Sequence, residues 1–281
     1  VPGEALANLV TQVAMRSRSR GVLLASWLLG SVLLVFIAAP LLRLAFSQSG
    51  SSLLHVAAQP DVRQAIWLSL EGAFLATLTA AAIGVPLAYV LARTEFFGKG
   101  IVSAIVDIPL AVPHTVAGIA LLFVFGRHGI FGAPAERWFG LQFWGTIAGI
   151  VVAMLFVSAP YTVNAARIGF EAIDPRLEKV ARTIGMGPWR VLWMVTLPLA
   201  WRSIATGLTL TYARAISEFA AVAILVYYPM TAPVKIYELF LRFGLGEAAG
   251  MATLLLIVTL LLLILLRYVA YGQKKPAGYG R

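Results

Sequence analysis

Cysteine is absent from the 281 residues, and histidine occurs only at His55, His114 and His128. The first absence excludes disulfides, thiolate metal sites and thiol nucleophiles. The second, with no two histidines at ligand spacing, leaves no zinc motif. Charge is scarce too: 12% of residues are Asp, Glu, Lys or Arg, about half the share in soluble domains. Twelve acids face 22 bases, a net charge of +10. In a soluble protein that excess would point to nucleic acid. Here the bases are too few, and too widely separated by apolar runs, to track a phosphate backbone. Neither G-x-x-x-x-G-K-[ST], G-x-S-x-G nor H-E-x-x-H occurs, so there is no phosphate-cradling loop, nucleophile elbow or metalloprotease motif to carry catalysis.

Apolar sequence is abundant. Hydrophobic residues make up 60% of the chain and the mean hydropathy is +0.88, the composition of an integral membrane protein. A helical span needs about 20 mostly apolar residues. Six stretches qualify: 22–42, 65–91, 102–125, 146–163, 204–227 and 248–271. None alternates with the period of barrel strands, so the expected fold is an all-α bundle of six transmembrane helices. Arg16, Arg18 and Arg20 ahead of the first apolar run also suit a signal peptide. That run, however, is longer than a signal h-region, and A-A-P-L is a poor cleavage site, so a retained first span is expected. The chain thus reads as an N-terminal segment 1–21, a transmembrane region 22–271 and a basic tail 272–281. Six spans put both termini on one side. Fifteen basic residues fall on that side and six on the other, with Arg214 inside a span. The positive-inside rule then makes both termini and the loop 164–203 cytoplasmic.

That loop is too polar to cross the bilayer and too patterned for a linker. Asp174-Pro175 is a helix start, with Asp as N-cap and Pro at the first helical position. Leu177, Val180, Ala181 and Ile184 follow at i, i+3, i+4, i+7, one apolar stripe. Gly185 stops the helix, Gly187-Pro188 restarts a second one, and Leu197-Pro198 is expected to break that before the fifth span. Two readings stand: an amphipathic helix on the lipid surface, or a docking element for a cytoplasmic partner.

The segment resembles the EAA loop of binding-protein-dependent ABC transporter permeases, whose pattern is E-A-A, three residues, Gly, nine residues, then I-x-L-P. Here Gly185 is followed at that distance by Val195-Thr196-Leu197-Pro198, and Ala181 takes the second alanine position. Lys179 and Val180 depart from the pattern, and an acid stands one place early at Glu178. The stretches Gly84-Val85-Pro86-Leu87-Ala88-Tyr89 and Ile108-Pro109-Leu110-Ala111-Val112-Pro113 extend the resemblance, as do Arg214-Ala215-Ile216-Ser217-Glu218-Phe219 and Tyr227-Tyr228-Pro229-Met230. The third-span stretch resembles the molybdate/tungstate/sulfate branch, and the last two stretches are closest to molybdate/tungstate permeases. The resemblance implies a MetI-like importer permease fold, in a multi-pass protein of a prokaryotic plasma membrane. It implies a homodimer with two cytoplasmic ATP-binding subunits, which would hold ATP-Mg, and an extracytoplasmic binding protein that delivers the oxyanion. This chain would bind no cofactor and catalyse nothing itself. Leu177, Glu178, Val180, Ala181, Ile184, Gly185, Leu197 and Pro198 would form the ATPase-coupling element, and which acid meets the ATPase is open. Sulfate, thiosulfate or another anion is the alternative cargo.

Ionisable residues inside spans are costly and mark function by default. Arg214 and Glu218 stand at i, i+4 and pair on one helix face, either as a structural pair or as a gate beside the pathway. Asp107 and His114 flank Pro109 and Pro113, which should kink the third span. Glu71, mid-span, is expected to make an interhelical hydrogen bond. Thr115, Gly118 and Ser217 are the candidate conduit residues, small or hydroxylic groups that would hold an anion weakly enough to release it. The loop 229–246 reads as a plug, a docking surface for the binding protein, or a helix at the interface. A proton-coupled secondary transporter using Asp107, Glu218 or Glu71 is the rival class. It should show inverted repeats, and none is evident. A membrane-embedded enzyme is disfavoured by the missing catalytic motifs.

Overall fold

The computed structural model describes residues 2–271, with side chains described for 22–268; the expected basic tail 272–281 lies outside them. The described residues form helices and turns, with no strand among them. The chain divides into two compact units at Ser49 and Gly50. The first holds α1 (Pro2–Ala45), whose stretch Val22–Ala45 is apolar and long enough to cross a bilayer.

The second unit begins with α2 (Gly50–Ala58) and α3 (Pro60–Thr79). A π turn at Ala80–Gly84 joins α3 to α4 (Val85–Arg93), so that Pro60–Arg93 is one apolar column. Then come α5 (Lys99–Ala111), α6 (His114–Phe125), α7 (Gly132–Phe139) and the central α8 (Ile147–Glu171). The short α9 (Pro175–Thr183) and α10 (Pro188–Val191) lead through a second π turn, Leu192–Thr196, into α11 (Leu197–Ile216). The chain ends with α12 (Ala220–Leu225), α13 (Ala232–Phe243) and α14 (Leu245–Tyr271). Among the described residues five helical columns are long and apolar enough to span: Val22–Ala45, Pro60–Arg93, Ile147–Glu171, Pro188–Ile216 and Leu245–Tyr268.

Three differences from the sequence reading have identifiable causes. The stretch 102–125 is two helices, α5 and α6, bent by 117°. Pro113 pushes Val112 into extended backbone (φ −76°, ψ 131°), which ends α5 there. The fourth helix runs on to Glu171, so the loop expected over 164–203 shrinks to the residues around α9. Its last turns are polar but carry an internal Arg167–Glu171 pair at 2.7 Å. The column at the expected fifth span starts at Pro188 and stops at Ile216, so Leu197-Pro198 does not break it and 217–227 do not continue it.

Proline is tolerated here for a shared reason. Pro86 and Pro198 are each the second residue after a π turn. A proline ring clashes with the carbonyl four residues back and offers no N–H to it. In both cases that carbonyl, on Ala82 or Met194, lies inside the widened turn, which makes room for the ring.

The core is centred on α8. Its Ala153, Met154 and Val157 pack with Ala73 and Ala76 of α3, Tyr212 and Ala215 of α11, and Val222 and Leu225 of α12. Further along, Val163, Ala166 and Phe170 meet Ala88 and Leu91 of α4 and Ala200 and Ile204 of α11. Small residues let the backbones approach, as lipid-embedded helices require. A Cβ on Gly207 would stand 2.8 Å from Ala165 Cβ and 3.0 Å from the Tyr161 carbonyl oxygen. Beside that contact the hydroxyls of Thr162 and Thr211 are 2.6 Å apart, and Thr211 donates to the Ser158 carbonyl at 3.1 Å. Such interhelical bonds contribute about 0.6 kcal/mol each in a bilayer.

Candidate functional site

Two places carry chemistry that packing alone does not require. The first is α9. Asp174 accepts from the Arg176 N–H at 2.8 Å and Pro175 opens the helix, as the sequence suggests. Gly185 closes it at φ +88°. Its N–H donates to the Arg182 carbonyl at 3.0 Å, and Met186 N–H donates to the Ala181 carbonyl at 3.2 Å. Those two bonds form a Schellman cap, which needs the left-handed residue that glycine supplies.

The faces of α9 are not arranged as its stripe suggests. Ala181 and Glu178 are buried, while Leu177, Val180 and Ile184 point out, Ile184 with 76% of its surface exposed. Glu178 is only 5% exposed. It accepts from Arg93 Nε at 2.9 Å and from the Thr196 hydroxyl at 3.0 Å, and Arg93 also reaches the Ile173 carbonyl at 3.2 Å. The acid standing one place early is therefore an internal anchor, tying α9 to the end of α4 and to the second π turn. The outward face is apolar, and Trp189, Trp193 and Met194 enlarge it. Leu197 packs against the Ala88–Phe170 cluster, and Pro198 is exposed. Nothing in the sequence pointed to Arg93, which lies 85 positions from its partner.

The second place is the break between α11 and α12. Glu218 is 1% exposed, accepts from the Ala221 N–H at 2.9 Å and takes Arg214 Nη2 at 2.7 Å. The carboxylate thereby caps the first turn of α12 and ends α11. The same guanidinium nitrogen lies 2.7 Å from His114 Nε2 at the start of α6. Arginine only donates, so the His114 nitrogen facing it is the acceptor. Ser217 Oγ donates to the Arg214 carbonyl at 3.0 Å. Ser217 and Thr115 are exposed beside this cluster. Gly118 takes another part: it is buried, and a Cβ there would stand 2.9 Å from Ile224 Cβ and 3.0 Å from Ala221 Cα. It is a close-packing position between α6 and α12 rather than an open wall.

The other ionisable residues separate from this cluster. Asp107 accepts from Asn164 at 2.7 Å and Ser103 from Arg167 at 3.0 Å, two ties between α5 and α8. Glu71 is half-buried, and the interhelical hydrogen bond expected of it is absent among the described residues. Most of the segment 229–246 is the helix α13, which is seated on α3. Ala232 N–H donates to Ser69 Oγ at 2.7 Å, and Lys235 binds Glu238 at 2.8 Å and Asp61 at 3.1 Å. Burial pulls the Lys235 amine down, but the hydrogen bonds and charges of Glu238 and Asp61 outweigh it and hold the group above its ordinary value.

Comparison with known proteins places this geometry. Residues 84–275 match the family model described as binding-protein-dependent transport system inner membrane component. The chain belongs to that family. The match takes in α4, α9, the second π turn and the α11–α12 break. The molybdate/tungstate transport system permease protein of Thermococcus kodakarensis is 42% identical over 88% of this chain and 94% of its own. That of Pyrococcus furiosus is 42% identical over 86% and 92%. Among solved structures, a bacterial ABC transporter involved in the import of the acidic polysaccharide alginate superposes with a TM-score of 0.73. It is 17% identical, over 92% of this chain and 98% of that one, a likeness of fold. The family member described here is accordingly a multi-pass permease subunit, and ATP hydrolysis belongs to a separate subunit.

Proposed function

We propose that this permease imports molybdate or tungstate, as a homodimer joined to two cytoplasmic ATP-hydrolysing subunits and fed by an extracytoplasmic oxyanion-binding protein. The observation that carries the cargo is the 42% identity to a molybdate/tungstate permease along nearly all of both chains. Sulfate or thiosulfate is the less favoured cargo. The excess of basic residues around α9 and toward both chain ends supports a cytoplasmic position for them.

In this reading α9 is the part that an ATPase moves. Its outward stripe of Leu177, Val180 and Ile184 is too apolar to face water and suits the cleft of a partner. Force on that stripe passes through Glu178 to Arg93 and α4, and through Thr196 to α11. At the far end of α11 stands the Arg214–Glu218–His114 cluster, which acts as the gate, with Thr115 and Ser217 exposed along the anion's route. Glu218 neutralises Arg214, so the anion meets a weak, transient site rather than a trap.

The test is reconstitution of the permease with its ATPase and binding protein in vesicles, measuring ATP hydrolysis and tungstate uptake. Ala181→Glu puts a second carboxylate on the buried face of α9, three residues from Glu178 and with one Arg93 to serve both. Substrate-stimulated hydrolysis and uptake should be lost while membrane insertion survives. Normal stimulated hydrolysis in that complex would sink the coupling assignment, and uptake of sulfate in preference to tungstate would sink the cargo.

A further inference from the structure

The segment between α6 and α8 carries a feature that transport does not use. Beside α7 lies a cavity of about 170 Å³, lined by Phe125, Arg127, Glu136, Gln142, Phe143 and Trp144. Its walls are fixed. Phe125 stacks on Phe131 at 6.2 Å and meets Phe143 edge-on at 5.1 Å. Gly140 and Leu141 N–H groups donate to the Glu136 and Ala135 carbonyls and cap α7. The acid of this cavity is engaged, since Gln142 donates to Glu136 at 2.8 Å. Its base is not: Arg127 makes no hydrogen bond or ion pair among the described residues. His128 and Arg137 are also exposed nearby in sequence. The Gln142 amide leaves Glu136 charged but hydrogen-bonded, so the group of this cavity without a partner is the guanidinium, which prefers a phosphate or carboxylate oxygen.

The surroundings say what kind of anion. Phe131, Trp138 and Phe139 are exposed, Phe139 at 82%, a cost that water would impose on the whole patch. The segment connects two apolar helices at the end where the spanning column Ile147–Glu171 begins; with that column across a bilayer, the segment would lie near the headgroup layer. Tryptophan there presents an apolar body and a polar N–H, as in interfacial belts. A free inorganic anion would satisfy Arg127 and leave the aromatic patch uncovered; an amphiphile satisfies both.

We propose that this cavity holds the headgroup of an anionic phospholipid, with Arg127 donating to the phosphodiester and the acyl chains covering Phe131, Trp138 and Phe139. The site is independent of the cargo and of the ATPase.

Native mass spectrometry of the full chain, released from micelles containing phosphatidylglycerol, tests this. The wild type and Arg63→Gln, an exposed arginine outside the cavity, should retain one phosphatidylglycerol. Arg127→Gln should lower that occupancy about fivefold, the effect of one basic residue at an anionic lipid surface. Excess inorganic phosphate should not displace the lipid. Equal occupancy in Arg127→Gln overturns the proposal, and displacement by phosphate makes the cavity a free-anion site instead. Unchanged lipid with weakened capture of the binding protein by Arg127→Gln would assign the patch to protein docking.

Discussion

Arg93 donates to Glu178 at 2.9 Å across 85 positions of sequence, with both side chains almost wholly buried. The pair does not advertise stability, since a buried ion pair is often no better than apolar residues of the same volume. What it fixes is position: α9 has few buried contacts of its own, and this bond with Thr196 holds it to two other elements.

Removing one partner leaves the other charged and buried. Arg93→Ala or Glu178→Ala should each cost about 3 kcal/mol, whereas Arg93→Met with Glu178→Leu should recover most of it. The measurement is limited proteolysis around α9 beside thermal unfolding in detergent. The single variants should open that segment to cleavage and the double variant close it. Single variants that resist cleavage like the wild type would remove the anchor from the account.

Two glycines should fail for opposite reasons. Gly185 has open space around its missing Cβ but sits at φ +88°, so Gly185→Ala should cost about 1 kcal/mol of backbone strain. Gly185→Asn should cost less, because asparagine visits that region. Gly118 has ordinary backbone but no room, with Ile224 Cβ 2.9 Å from the position of a Cβ. Gly118→Ala should cost about 1–3 kcal/mol and be relieved by Ile224→Ala. Uptake rates and melting temperatures of the four variants and the double separate the cases. Relief of Gly185→Ala by Ile224→Ala would contradict both.

What the sequence disclosed of this site is what neighbours along the chain decide. Asp174-Pro175 and Gly185 bound α9 through caps that span five residues or fewer, and both are where they were expected. The stripe Leu177, Val180, Ile184 was legible as a stripe, but its direction was not. An apolar face in a membrane protein can turn to protein, lipid or a partner, and only Glu178's tie to Arg93 decides that it turns outward. The end of α11 was illegible for the same reason. Apolar composition runs on through 217–227, yet Glu218 spends its carboxylate on Ala221 and Arg214, and His114 arrives from another helix a hundred positions away. Pro198 looked like a break because sequence does not show the π turn that absorbs it.

The seat of α13 makes a pH prediction. Lys235 lies above its ordinary value of 10.5 because Glu238 and Asp61 favour the charged amine over the opposing effect of burial. A group raised on folding stabilises fully below its unfolded value and loses that contribution as pH rises through the folded one. The melting-temperature gap between wild type and Lys235→Ala should therefore be flat from neutral to mildly alkaline pH. It should narrow only above the ordinary value. Protonating Asp61 and Glu238 also removes the pair, but only in the acid range of carboxylates, so a gap that already closes just below neutral would contradict this seat.

The cluster at the α11–α12 break lets gate and scaffold be told apart. Glu218→Gln keeps an oxygen for the Ala221 N–H but leaves Arg214 without its counter-charge, while Glu218→Ala removes the cap as well. If the cluster is a gate for an anion, Glu218→Gln should fold normally, retain tungstate and slow uptake about tenfold, since one unneutralised guanidinium adds on the order of 1–2 kcal/mol of binding to the transit state. A scaffold would instead lose stability in Glu218→Ala and Glu218→Gln alike, with uptake per folded molecule unchanged. The chain has no cysteine, so Thr115→Cys and Ser217→Cys each introduce a single thiol at an exposed position. If closure of the ATPases acts through α9 on the base of α11, as proposed, their labelling should differ between nucleotide-free and ATP-trapped complexes. Equal labelling of both thiols in every state would leave the break a fixed joint and move the gate elsewhere.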